Sequence, residues 1–280
     1  KLAASIDGRL AICKEYDWFP ALYTQAEQLI DPVLLLARLL RAAASLYAAG
    51  KAASINKSVF DKGASLDEMA LAAETMEQDA GSELRGFDAI GLCFPDVVIQ
   101  NRIVGGETYK TRGMRNNPDL DYEAEFAKIT YLSDYLKEYV TPDGVVMNTN
   151  DGPMAAFTAA VEQAAVGADV SRGFFAHTLG TELGTGWVRP DGSIPDIPLE
   201  VYNFIIDLGS FTQKQYPCND VRSINNFNTH LPGTLQKYTS QSGVFRLAAK
   251  YLPLKDPSTY QQAFDSGLLQ WQGNSLLVPI

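Results

Sequence analysis

The chain has 280 residues, of which 46% are hydrophobic and 20% charged, a composition typical of a globular protein with a hydrophobic core. This length is enough for one large domain or two of medium size. The formal net charge is −10, from 33 acidic and 23 basic residues, which disfavours binding of nucleic acid or anionic membranes through bulk positive charge. The most apolar run, residues 33–40, is interrupted by Arg38, so the sequence predicts no membrane span.

Cysteine and histidine are scarce and widely spaced. Cys13, Cys93 and Cys218 form no CxxC pair, and the only histidines are His177 and His230. This pattern disfavours a disulfide framework and a tetrahedral zinc site, and it favours a reducing, cytoplasmic compartment. We therefore expect no metal held by protein ligands alone.

The first elements predict a hairpin followed by a long helix. Two apolar runs, residues 2–6 and 10–13, flank Asp7-Gly8, a pair typical of tight turns because glycine readily adopts positive φ. A mostly buried helix is predicted from Asp31-Pro32 to Gly50, since Asp caps helices and Pro presets the helical φ.

The following segments alternate between helix and strand. Residues 65–68 form a capping box for a helix that ends near Gly81. The apolar run 87–94 predicts a strand, residues 122–139 show helical spacing, and a turn at 141–144 precedes a strand at 145–147. Such alternation indicates an α/β fold.

The second half of the chain begins with a loop that enters an alanine-rich helix. Further predicted elements are a helix over residues 151–165, strands at 174–179, 184–188 and 200–207, and a helix at 234–252. We place the domain boundary where the strand gives way to this loop. The expected domains are an N-terminal α/β lobe, residues 1–148, and a C-terminal α/β lobe, residues 149–280.

Three features could carry chemistry, and each also has a purely structural interpretation. In the loop Leu-Gly-Thr-Glu-Leu-Gly-Thr-Gly, backbone N–H groups and the hydroxyls of Thr181 and Thr185 can converge on phosphate, but the pattern also suits a hairpin turn. Asp151 can act as a base or only cap its helix. Glu200 can bind a ligand or be an exposed carboxylate at a strand edge.

Five segments, in a fixed order, resemble the ROK (repressor, open reading frame, kinase) family of sugar kinases, within the actin–hexokinase superfamily. They read GFDAIGLCFPDVVIQNRIV (86–104), VVMNTNDGPMAAFTAA (145–160), FFAHTLGTELGTGWVRPDGSI (174–194), PLEVYNFIID (198–207) and GTLQKYTSQSGVFRLA (233–248). They are similar, respectively, to the family's GFPG strand, its NDAN segment, its phosphate-2 loop LGTGIGTG, its GEIGH segment and its GCLE helix.

The resemblance implies a two-lobed actin-like ATPase (ribonuclease H-like) fold, truncated at both ends in this sequence. The family's first phosphate motif, DxGGT, is expected directly before Lys1, and its late glycine motif, which contacts adenosine, is expected beyond Ile280. The sequence therefore suggests a piece of a longer cytoplasmic chain.

The implied activity is phosphoryl transfer from ATP to a hydroxyl of a hexose-type sugar, with Mg²⁺ on the nucleotide phosphates and with closure of the lobes to exclude water. The expected partners are this sugar and nucleotide, together with a second copy in a homodimer, and neither nucleic acid nor membrane. By matching position, Asp151 is the candidate base. The candidate sugar-binding residues are Asn150, Glu200 and Asn203, and the candidate phosphate-binding residues are Thr181, Gly184 and Thr185.

The chain departs from the family at three places. Asn203 replaces the histidine of GEIGH, Cys218 stands alone where the family has a zinc cluster, and Glu182 places a carboxylate in the phosphate-2 loop. Because this carboxylate would repel triphosphate oxygens, we expect weak nucleotide affinity. Polyphosphate is the alternative donor. Two other hypotheses stay open: a sugar-sensing, non-catalytic regulatory module, and a pseudokinase with a structural role.

Overall fold

The structure is a computed structural model that describes residues 1–105, 111–179, 183–195, 197, 199–212, 216, 222, 226, 229–240 and 243. The chain divides into two compact units, Lys1–Thr149 and Asn150–Ile280. The expected boundary, between residues 148 and 149, lies one residue before this division. Helices and strands are mixed along both units, as in the predicted α/β class, and each of the four described sheets has two strands.

The first unit contains most of the described elements. Its strands are β1 (Leu2–Ile6), β2 (Arg9–Lys14), β3 (Phe87–Phe94), β4 (Val98–Ile99), β5 (Arg102–Ile103) and β6 (Val140–Asn150), which ends at the unit boundary. Its helices are α1 (Glu27–Ala48), α2 (Leu66–Ala80), α3 (Arg112–Arg115), α4 (Tyr122–Thr130) and α5 (Leu132–Tyr135). The sheets pair β1 with β2, β3 with β6 and β4 with β5.

The second unit begins with α6 (Asp151–Ala165), followed by the hairpin of β7 (Phe174–Leu179) and β8 (Leu183–Val188). Short 3-10 helices at Val201–Asn203 and Leu208–Phe211 precede α7 (Leu235–Thr239). The helix predicted over residues 234–252 is interrupted at Ser240, which is extended, with φ −77° and ψ 167°, and Gly243 is helical again. Residues 244–252 lie outside the described part of the chain.

Two of the predicted local structures are confirmed. β1 and β2 form an antiparallel hairpin, in which Asp7 and Gly8 have φ values of 50° and 74°. At the start of α2, the Ser65 hydroxyl accepts a hydrogen bond from the Glu68 N–H, and the Glu68 carboxylate accepts one from the Ser65 N–H. Both predictions succeed because the deciding contacts lie within a few residues of each other.

Helix α1 begins at Glu27, four residues before the predicted start, so that Pro32 lies inside the helix. Ala26 and Leu29 are fully buried, and their packing favours a helical first turn ahead of the proline. The helix loses the one hydrogen bond that Pro32 cannot donate. The predicted helix over residues 122–139 is also divided, into α4, α5 and a 3-10 helix.

Helix α1 is buried on nearly all sides and organises the first unit. Leu39 and Leu46 pack against α2, Leu29 packs beside Ile129 and Leu132, and other residues of α1 pack against β1 and β3. The sparse polar residues of the helix had predicted this burial.

The predicted turn at residues 141–144 lies within β6. A Cβ added to Gly144 would lie only 2.7 Å from the Val140 Cβ. Because four extended residues span about 13 Å, this proximity means that β6 bends sharply here. The turn signal therefore marks a bend and not the beginning of the strand.

Two arginines of α1 bind one carboxylate of α2. Arg38 and Arg41 each place a guanidinium nitrogen 2.6 Å from a carboxylate oxygen of Glu77, whose side chain is only 16% exposed. Burial acts to raise the pKa of Glu77, but the hydrogen bonds from Arg38 and Arg41 outweigh it and hold that pKa below its ordinary value. The stabilisation that the ionised Glu77 gains from the two arginines is present above the ordinary pKa of glutamate, and it is lost as the pH falls through the lowered pKa.

We expect Glu77→Gln to lower the free energy of unfolding at neutral pH by about 1–3 kcal/mol, the size typical of hydrogen bonds to charged groups. Urea unfolding followed by circular dichroism measures the change. Glu83→Gln is the control, because Glu83 forms only a long, exposed pair with Arg85. The effect of Glu77→Gln should be smaller at a pH below the lowered pKa of this carboxyl than at neutral pH, because the wild-type group is then protonated. An equal effect at both pH values would contradict this explanation.

Candidate functional site

The predicted site residues that the structure describes all belong to the second unit. They are Asn150, Asp151, Gly184, Thr185, Glu200 and Asn203. Thr181 and Glu182, which complete the predicted phosphate loop, lie outside the described residues, as does Cys218. All of the predicted sugar-binding residues are therefore described, whereas the predicted phosphate-binding residues are described only in part.

The first turn of α6 holds two of these residues. Asn150 is the N-cap: its Oδ1 accepts a hydrogen bond from the Gly152 N–H at 2.9 Å. Asp151 is the first helical residue, and its Oδ1 lies 3.0 Å from the same N–H. Asn150 thus occupies the N-cap position, while Asp151 also accepts a hydrogen bond from the Gly152 N–H in the first turn. Asp151 is exposed at the end of the helix where the dipole favours negative charge.

Helix α6 lies against the backbone of the β7–β8 hairpin. This hairpin is confirmed, with register from Phe174↔Val188 to Leu179↔Leu183. A Cβ on Gly152 would lie 2.4 Å from the Thr185 carbonyl oxygen, and one on Gly186 would lie 2.3 Å from the Gly152 carbonyl oxygen. Only glycine permits this approach, so the two glycines determine where α6 begins relative to β8.

Thr185 is held within the hairpin. Its side chain is buried, and its Oγ1 shares a hydrogen bond of 3.0 Å with Nδ1 of His177, the residue opposite it in the register. The Phe175 ring packs edge-on against the imidazole. A Cβ on Gly184 would lie 2.4 Å from the Thr178 Oγ1, so this glycine is required by the hairpin itself. Sequence reasoning did not anticipate the role of His177, which follows only from the register.

Glu200 does not lie on the strand predicted over residues 200–207. It directly precedes the 3-10 helix Val201–Asn203, and in the described part of this segment only Ile205 pairs, through a single bridge to Thr234. Pairing stops there because Thr234 is the N-cap of α7 and the Leu235 N–H donates to the Phe204 carbonyl. Glu200 is consequently half-buried and not an exposed residue of a strand edge.

Glu200 interacts electrostatically with Asp151. Burial is the main cause that raises the pKa of Glu200, and the negative charge of Asp151 raises it further, whereas a hydrogen bond with Tyr202 lowers it. Two carboxyl groups from separate parts of the chain are therefore near enough for their charges to interact. Groups placed in such different environments can divide the roles of proton acceptor and ligand.

Further polar side chains lie in the segments that follow Glu200 in the sequence. The Asn203 Oδ1 accepts a hydrogen bond of 3.0 Å from the Nδ2 of Asn226, which is fully buried. Gln236, at the start of α7, is 1% exposed, and within the described residues neither its oxygen nor its nitrogen forms a hydrogen bond. Buried polar atoms without protein partners are uncommon and mark places where a ligand or water can bind. Sequence reasoning missed Gln236, which lies in the first turn of the helix predicted over residues 234–252.

Neither a metal cluster nor a membrane-spanning helix is seen in the part of the chain that the structure describes. No three His, Cys, Asp or Glu side chains among these residues lie where they could hold a metal ion together. None of the described helices combines the length and apolarity needed to cross a membrane.

We expect Gly186→Ala to lower the free energy of unfolding by about 1–3 kcal/mol, since the new methyl group overlaps the Gly152 carbonyl. Gly91→Ala is the matched control in a strand, because a Cβ there meets no atom within 4 Å. Thermal unfolding compares the two variants. Equal melting temperatures for both would show that α6 does not depend on this close approach.

A second prediction concerns Glu200. The pKa of Glu200 is raised in the folded state, so ionisation of this carboxyl destabilises the fold. The protonated carboxyl's contribution to stability is fully present below the ordinary pKa of glutamate, and it is lost as the pH rises through the raised pKa. Glu200→Gln should therefore melt at a higher temperature than the wild type at neutral pH, and at nearly the same temperature at about pH 3. Glu162→Gln, exposed on α6, is the control. A melting temperature that Glu200→Gln lowers at neutral pH would contradict the prediction.

The resemblance of short segments assigns roles to Asp151 and Glu200 separately, and in the structure their two carboxyl groups interact electrostatically. No family model matches the chain, and no curated protein matches it.

Proposed function

We propose that the protein is a sugar kinase, with a two-lobed actin-like fold, that transfers the terminal phosphoryl group of ATP to a hydroxyl of a hexose-type sugar. The observation that carries this proposal is the proximity of Asp151 and Glu200. The resemblance assigns these two residues separately, one as the base and one as a sugar ligand. A kinase needs both at the same sugar hydroxyl groups, and their proximity supports that assignment.

In this mechanism Asp151 is the general base. It is exposed at the first residue of α6, where a substrate can reach it. As the sugar oxygen attacks phosphorus, the new O–P bond forms, the bond to the departing ADP breaks, and the hydroxyl proton moves to the Asp151 carboxylate. Positioning and neutralisation of charge supply the rest of the catalysis.

Glu200 and Asn203 hold the sugar. Sugar hydroxyl groups donate hydrogen bonds to the Glu200 carboxylate and thereby replace part of the hydration that burial removes. Asn203 contributes an amide where the family has an imidazole, and its orientation is set by Asn226. Asn150 supports the base, since it caps the helix that carries Asp151.

The nucleotide phosphates bind at the β7–β8 hairpin in this proposal. Gly184 and Thr185 offer backbone groups, while the Thr185 hydroxyl is engaged with His177. Thr181 is the remaining hydroxyl donor expected from the sequence. Mg²⁺, when bound with the nucleotide, neutralises the charge that develops on the phosphates.

The engagement of Thr185 favours a second candidate function. A protein that binds sugar without phosphorylating it needs the sugar residues and not a free phosphate-side hydroxyl. A sugar-sensing regulatory module, or a pseudokinase, would have this combination of features.

We expect Asp151→Asn to reduce sugar phosphorylation by the full-length protein by a factor of about 10² to 10⁴, because an amide cannot accept the proton. Release of ADP, or loss of polyphosphate, across a panel of sugars measures the rate. The fold should survive, since Asn150 caps the helix and the amide introduced by the substitution can still bind a hydroxyl.

Asp169→Asn is the matched control, because it removes the same charge from an exposed loop of the same unit. A protein with Asp151→Asn that melts normally and turns over at the wild-type rate would exclude Asp151 as the base. A wild-type protein that binds sugar in calorimetry but phosphorylates none would favour the second candidate function.

A further inference from the structure

The β7–β8 hairpin has little positive charge for a segment that is proposed to hold nucleotide phosphates. Between Gly173 and Val188 the sequence contains neither lysine nor arginine, and Glu182 adds a negative charge. His177 is therefore the one residue of this segment that can carry a positive charge. Because phosphate binding depends on hydrogen-bond donors and on neutralisation of charge, the position and protonation of this imidazole determine what the hairpin can bind.

His177 lies on the face of the hairpin that is turned away from α6. Ala176 and Val188 pack with Ala156 of that helix. Because side chains alternate along a strand, the side chain of His177 projects from the opposite face, and the residue is exposed. Its Nδ1 shares a hydrogen bond of 3.0 Å with the Thr185 hydroxyl, and among the described residues no group bonds its Nε2. One ring nitrogen is thus held by the protein, and the other is open to a ligand.

The bond with Thr185 determines which ring nitrogen carries the hydrogen. The Thr185 side chain is buried, and His177 is the one hydrogen-bond partner that the described residues give its hydroxyl. If this hydroxyl accepted a hydrogen bond from Nδ1, its own hydrogen would be buried without an acceptor, which costs free energy. The hydroxyl therefore donates to Nδ1, and the hydrogen of the neutral imidazole lies on Nε2.

We infer that His177 is a phosphate-binding residue of the hairpin, which donates a hydrogen bond from Nε2 to a nucleotide phosphate oxygen. Thr185 is its positioning residue, because it fixes the orientation and the tautomer of the ring. Phe175 restricts the ring further, since the two rings pack at an interplanar angle of 87° with their centroids 4.7 Å apart. The inference rests on the proposed binding of nucleotide at this hairpin, and it supplies the donor that the engaged Thr185 hydroxyl does not provide.

Protonation of His177 adds a positive charge and keeps the contact with phosphate. The Nε2–H group is present in the neutral and in the protonated ring, and in the protonated ring Nδ1 donates to the Thr185 oxygen. A charged donor binds phosphate more strongly than a neutral one. The affinity for nucleotide should therefore rise as the pH falls through the range in which histidine gains its proton.

Charged groups of both signs lie on the elements around the hairpin. Helix α6 carries Asp151 and Glu162, and Glu200 precedes the 3-10 helix that packs against β8. Arg189 directly follows β8. Because the pKa of Glu200 is raised towards the range of histidine, the contribution of His177 has to be measured against a variant in which only this residue cannot titrate.

The tautomer is measured on the full-length wild-type protein labelled with ¹⁵N in histidine. Nuclear magnetic resonance correlations between ring nitrogens and ring protons distinguish the two tautomers, and comparison with His177→Gln identifies the signals of His177. We expect the neutral ring to carry its hydrogen on Nε2. A hydrogen on Nδ1 would overturn the inference, because the open nitrogen would then have nothing to donate. This measurement needs no variant that could fail to fold beyond the one used for assignment.

The affinity for Mg²⁺–ATP is measured by calorimetry at about pH 5.5 and about pH 8.5, on either side of the range in which histidine titrates. We expect the ratio of the two affinities to be at least about fivefold larger for the wild type than for His177→Gln, whose side chain keeps a donor but cannot become charged. The other histidine, His230, is exposed, so His230→Gln is the matched control and should keep the wild-type ratio.

Thr185 is tested by the same ratio. Thr185→Val should reduce it, and Thr185→Ser, which keeps the hydroxyl, should preserve it. A purely structural role of Thr185 would change the melting temperature and leave the ratio unchanged.

The outcomes separate this inference from the proposed function. Equal ratios for the wild type and His177→Gln would overturn the inference and leave nucleotide binding at the hairpin standing. Absence of nucleotide binding at both pH values would overturn both. A larger ratio for the wild type, in a protein that phosphorylates no sugar, would support the inference and contradict the kinase.

Discussion

The close approach between the first turn of α6 and the backbone of β8 is the constraint on which the second unit depends. Gly152 and Gly186 remove the side chains that would otherwise separate these two elements. The helix start is thereby positioned against the hairpin by backbone atoms, which have little freedom to adjust. Asp151 directly precedes Gly152 and is therefore held in place by this contact. Glu200, from a separate segment, interacts with it electrostatically.

Local signals in the sequence predicted much of the fold. The Asp7-Gly8 hairpin, the capping box at Ser65 and the β7–β8 hairpin each depend on neighbouring residues, and each is confirmed. The predictions fail where contacts between residues far apart in the chain determine the local structure. Burial of the turn before Pro32 extends α1, and the start of α7 leaves the segment after Glu200 without a strand to pair with. The electrostatic interaction between Asp151 and Glu200 likewise depends on tertiary structure that the spacing of residues does not encode.

The two sides of the candidate site differ in whether their polar groups already have hydrogen-bond partners within the protein. On the sugar side, Glu200 and Gln236 are polar groups whose burial costs free energy until a donor or acceptor reaches them. On the hairpin side, Thr185 already has a partner in His177, and its hydroxyl would have to exchange that partner for a phosphate oxygen. In the proposed function, sugar binding is therefore the step for which this unit is better prepared, and the kinase and sensor hypotheses both include it.

The burial of α1 on nearly all sides has a consequence for how the first unit folds. Its neighbours come from both ends of the unit, from Ala4 near the start to Leu136 and Val146 near the end. The helix cannot bury its full surface until segments far apart in the chain have arrived, and such non-local contacts slow folding. Once formed, the strands and helices packed against α1 cannot leave without exposing it, so they should unfold together in one cooperative transition.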